Sequence, residues 1–131
     1  AATLAKLHYL TGEDAYRVRA EEILIAFAGE VSKNLFSYTG LLCANEVLQR
    51  CTQVIILGST GDAEADAMAE VAWKSPNMNT LIQRVAPDDV LPAGHPATGK
   101  GQQDGAATAY VCIGRTCSLP LTGVAALQDA L

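Results

Sequence analysis

The strongest limit on the fold comes from Gln53-Val54-Ile55-Ile56-Leu57-Gly58. Val54 to Leu57 is apolar and largely β-branched, with no polar interruption. It is strand-sized, and it lacks the alternation of a strand that shows one face to water. Such a run requires cover on both faces, as a strand inside a parallel sheet has. The next thirty residues fit that setting. Ser59-Thr60-Gly61-Asp62 reads as a turn with Asp62 as a helix N-cap, and Ala65, Met68, Ala69, Ala72 and Trp73 recur at helical spacing. Pro76 lies beyond the helix end, and Thr80 to Val85 reads as a second strand. Strand, helix, strand is a βαβ unit, whose crossover is right-handed.

Residues 1–51 carry a different grammar. Leu4, Leu7, Tyr9 and Leu10 give one short apolar face. Thr11-Gly12-Glu13-Asp14 breaks it, with Thr11 expected to cap the next helix. Tyr16, Ala20, Ile23, Leu24 and Phe27 then form a helical stripe. After a break over residues 34–38, Leu41, Leu42, Asn45 and Leu48 predict a third helix ending near Arg50. The predicted architecture is α/β. A helical segment over 1–51 packs with a small three-stranded, mainly parallel α/β domain over 52–131. Residues 86–107, rich in Pro and Gly, form a long loop of the kind that is functional or mobile. Thr108 to Ile113 is the third strand, and Thr122 is expected to cap a final helix.

Composition narrows the function classes. A chain of 131 residues can bury a core of its own, and half of it is hydrophobic, which excludes a disordered tail. The net charge of −5 and nine scattered Lys and Arg lack the clustered basic stripe of a nucleic-acid binder, and an anionic membrane surface is disfavoured for the same reason. No apolar stretch approaches the roughly 20 residues that cross a bilayer. The opening residues lack the basic-then-apolar order of a signal peptide, and they read as a processing boundary rather than a natural start. With four cysteines and no such signal, a disulfide framework is not expected, and the cytoplasm is the expected compartment.

Two places could carry chemistry. Gly58, Ser59, Thr60, Gly61 and Asp62 lie at the carboxyl end of a strand and open a helix, where α/β sheets bind phosphates or nucleotides. The segment lacks the phosphate-loop spacings, and Asp62 would itself fill the anion position. Cys112 and Cys117 flank a four-residue spacer, wider than the redox or zinc spacing of two. If Gly114-Arg115 bends tightly, the sulfurs can meet. A disulfide, a metal site and two structural thiols all stay open, and the pair is expected to be close but reduced. Cys43 and Cys51 read as small packed hydrophobes. His8, His95, Lys100 between Gly99 and Gly101, Glu21-Glu22 and Asp88-Asp89 form no catalytic set by spacing. No catalytic residue, metal or cofactor is assigned.

The chain also resembles the C-terminal region of the YyaL-like bacterial proteins. The resemblance rests on Leu10-Thr11-Gly12-Glu13 with Tyr16, on Leu41-Leu42 leading into Val54-Ile55-Ile56-Leu57-Gly58, and on Ala107 to Cys112 followed by Thr116-Cys117, Pro120 and Thr122. Gly123-Val124 departs from the pattern, where the family tends to place an acidic residue and a proline. Family members have a thioredoxin-like N-terminal domain and a helical toroid similar in shape to N-acylglucosamine 2-epimerases. The resemblance implies that residues 1–51 are the last toroid helices, that 52–131 is an appendage, and that the partner is the remainder of a longer chain. No complete active site is implied here. Without its neighbours, such a chain is expected to self-associate.

Overall fold

A computed structural model describes residues 1–114 and 116–131. The architecture is α/β. Three helices come first: α1 (Ala2–Thr11), α2 (Asp14–Lys33) and α3 (Thr39–Arg50), with a 3₁₀ turn over Phe36–Tyr38 before the last. Then come β1 (Thr52–Leu57), α4 (Ala63–Trp73), β2 (Thr80–Val85), β3 (Thr108–Ile113), the short β4 (Thr116–Cys117) and β5 (Leu121–Thr122), and α5 (Val124–Ala130).

Every residue of β1 is buried. Its even positions, Val54 and Ile56, pack with Ala65, Met68 and Ala72 of α4 and Leu127 of α5. Its odd positions, Ile55 and Leu57, face the opposite way and join Val85, Tyr110, Cys112 and Ala97 of the long loop. The third core unites Ala5, Tyr9, Ala20, Val47, Leu48 and Cys51 from the helical layer with Leu81 of β2. The sheet is therefore covered on one face by α4 and α5. On the other, α1 to α3 and the loop share the cover.

The mainly parallel, three-stranded expectation needs correction. The sheet is mixed and has five strands among the described residues, in the order β2-β1-β3-β4 with β5 also on β3. β1 pairs parallel with β2 and antiparallel with β3. Val85 and Thr108 both sit opposite Leu57, so the chain leaves and re-enters the sheet at the same end. A parallel return would need a crossover to the far end. The Pro- and Gly-rich loop provides none and lies instead on the sheet face. Ala97 is buried there, the Tyr110 hydroxyl donates to the Gly101 carbonyl at 2.8 Å, and Lys100 Nζ donates to the Pro96 carbonyl at 2.6 Å.

Two caps also differ. The N-cap of α2 is Glu13, without a side-chain bond, while the Thr11 hydroxyl donates to the Leu7 carbonyl inside α1. Gly12 ends α1 in the left-handed conformation (φ 75°). Thr122 is in β5, and Gly123 (φ 87°) is the N-cap of α5. In both places a glycine able to take positive φ turns the chain, and the nearby threonine is used elsewhere.

Candidate functional site

β3 passes through Gly114 (φ 60°) and returns as β4, setting Cys112 directly opposite Cys117. The two are joined by a disulfide, with Cα atoms 3.9 Å apart. The expected proximity is present, but the expected reduced state is not. Directly opposed residues of an antiparallel pair hold their side chains on one face within bonding reach. The hairpin has its own fastening, because Ser118 N–H donates to the Val111 carbonyl at 2.8 Å and Val111 N–H donates to the Ser118 hydroxyl at 3.1 Å. The sulfur environments differ: Cys112 is buried beside Ile55 and Tyr110, and Cys117 is exposed. Arg115, the cation that the sequence places between them, lies outside the described residues.

Gln53 is opposite Cys112 on β1, so Gln53, Cys112 and Cys117 form a row across three strands on one face. Gln53 is only 4% exposed, and its side-chain oxygen has no hydrogen-bond partner among the described residues. A buried carbonyl oxygen left in that state costs free energy. By pattern alone Gln53 is just the edge of an apolar run. The signal that could have singled it out is its place in the odd alternation with Ile55 and Leu57, a polar residue at a core position.

Gln53 also lines a cleft of about 780 Å³, bounded by α1, α2, the loop and Gly114. Two contacts join polar side chains along it. Arg17 Nε donates to Glu21 Oε1 at 2.9 Å, and His8 Nδ1 lies 3.7 Å from Asp14 Oδ1. Where the loop crosses α1, a Cβ on Gly12 would overlap the Gly94 carbonyl oxygen, so the two backbones touch. His95 is not part of this set. Its Nδ1 accepts from Ala97 N–H at 3.1 Å, and burial together with the Lys100 charge pushes its pKa down.

The Gly58 to Asp62 turn is placed as expected, at the end of β1 and the start of α4. One Asp62 carboxylate oxygen accepts from the N–H groups of Glu64 and Ala65 at 3.0 and 3.2 Å, so the helix start is occupied by its own cap. Gly58 is needed for packing, because a Cβ there would meet the Ala65 Cβ at 2.6 Å. Gly58, Thr60 and Gly61 border a smaller cleft of about 300 Å³ with Arg84, but Arg84 is paired with Asp66.

The remaining candidates scatter. Cys51 is fully buried, and burial pushes its thiol up to about 11, whereas Cys43 is exposed and is no packed hydrophobe. Met68 is core, but Trp73, expected beside it, is 72% exposed. Asp89 caps the chain by accepting from Ala86 N–H at 2.8 Å. Among the described residues, no group of three or more His, Cys, Asp or Glu side chains converges as a metal site, and no helix is long and apolar enough to cross a membrane. Comparison of the chain with family models, curated proteins and solved structures finds no match in any of the three.

Proposed function

We propose that this chain is the C-terminal structural part of a YyaL-like protein, with α1 to α3 packing against further helices of the same parent and the sheet bracing them. The observation that carries this reading is α2. Only Ala20 of its twenty residues is buried. Ile25 is 75% exposed and Phe27 44%, and the same layer shows Leu35, Phe36 and Leu42. Five large apolar side chains exposed on one helical layer form a surface of the kind that marks a place for a neighbour. The compartment we propose is the cytoplasm, on the low cysteine density of the chain, with the single Cys112–Cys117 bond as the feature that opposes it.

Sedimentation of the chain alone tests the proposal. The wild type should associate with rising concentration, because the uncovered helical face finds itself. Ile25→Glu with Phe36→Glu should give a monomer with an unchanged melting temperature. A wild type that stays monomeric at all concentrations would sink this reading.

A further inference from the structure

We propose that Cys112–Cys117 is a reversible disulfide, opened by external thiols at Cys117, and that Gln53 is the positioning residue that holds its reduced form. Three features of the hairpin support this. The two cysteines have unequal exposure, Cys112 being a buried residue and Cys117 an exposed one. The hairpin has two Val111–Ser118 hydrogen bonds that do not involve the sulfurs. Gln53, directly opposite Cys112, carries a buried oxygen without a donor in the oxidised state.

In the first step a thiolate attacks Cys117 Sγ and forms a mixed disulfide there. The Cys112–Cys117 bond breaks, and its electron pair leaves on Cys112 Sγ, which takes up a proton. A disulfide sulfur has no hydrogen to give, but a thiol is a donor. Cys112 stands directly opposite Gln53 on the neighbouring strand, so rotation of the freed side chain away from Cys117 would carry the new S–H toward Gln53 Oε1. A second thiolate attacks the external sulfur of the mixed disulfide and releases the Cys117 thiolate, which is then protonated. Two external thiols are oxidised to one disulfide, and the protein pair gains two electrons and two protons. The buried acceptor that is orphaned in one oxidation state is satisfied in the other. That is the arrangement of a site that visits both.

Equilibration in glutathione redox buffers tests this, with alkylation and peptide mass separating the pair from Cys43 and Cys51. The wild type should reach a mixture of disulfide and dithiol while keeping its far-ultraviolet circular dichroism. Gln53→Met should move the equilibrium about three- to tenfold toward the disulfide, a potential about 15–30 mV more negative. Independently of that variant's folding, Cys112→Ser should take up glutathione at Cys117, and Cys117→Ser should resist it at Cys112. The proposal fails if the wild-type bond resists glutathione until the chain unfolds. It fails equally if folded Gln53→Met leaves the equilibrium unchanged, or if glutathione prefers Cys112.

Discussion

Single residues in this protein are decided by what stands directly opposite them. Gly12 and Gly94 are the sharpest case, since each has the other's backbone where a Cβ would go. Gly12 also has φ 75°. We predict that Gly12→Ala destabilises the fold by roughly 2–4 kcal/mol, from left-handed strain and the collision together. Chemical denaturation would measure it, and a loss under about 0.5 kcal/mol would mean the loop does not rest on α1 in solution. Cys51 gives a pH prediction. Burial raises its folded pKa to about 11 above an ordinary value of 9.0, outweighing a backbone hydrogen bond from Leu81 and the Lys6 charge, which both lower it. The stability this thiol supports is therefore whole below about pH 9 and is lost as pH rises toward 11, because the unfolded chain ionises first. Melting temperatures across that window should fall for the wild type and fall less for Cys51→Ala. The exposed Cys43 should alkylate in the native protein while Cys51 does not.

At the scale of elements, β1 and α4 carry the fold. Gly58 and Ala65 form the close joint between them. Gly58→Ala should cost about 1–3 kcal/mol by overpacking, and adding Ala65→Gly should recover part of it. A strictly additive double mutant would show that the two do not touch. Ile55→Asp places a charge in a strand buried on both faces and should abolish cooperative unfolding. On α4, Met68→Ala should cost about 2–5 kcal/mol, while Trp73→Ser at the exposed end should stay within about 0.5 kcal/mol. Met68 and Trp73 were expected on one apolar face, but five residues turn a helix to a point about 140° away. Ala72, at the same end of α4 as Trp73, is buried with Met68, so it is the direction of the Trp73 side chain that leaves it outside the core.

Across the whole molecule, the two faces of the sheet are covered unequally. The α4 and α5 side closes over one continuous core. The other side divides its cover between the helical layer and the loop, and the cleft with Gln53 at its floor opens where those two meet. Beyond it, the far half of α2 is exposed and still carries Ile25 and Phe27. Association of the wild type, removed by Ile25→Glu with Phe36→Glu, belongs to this scale because no single contact predicts it.

Local pattern was enough to define most of the elements. An apolar β-branched run can satisfy its side chains only inside a sheet, and β1 is buried throughout. Asp62 could be recognised as a cap because its carboxylate bonds backbone only two and three residues away. Strands β2 and β3 were legible over their whole lengths for a similarly local reason. Pairing direction, the residues that face one another and the surface left uncovered were settled by tertiary packing. The antiparallel return of β3 depends on where a loop without a helix can lead the chain. The caps of α2 and α5 depend on how glycine turns fit their neighbours. The row of Gln53, Cys112 and Cys117 joins residues nearly sixty positions apart in sequence. Local pattern records what a side chain needs, and register between distant strands decides which partner meets that need.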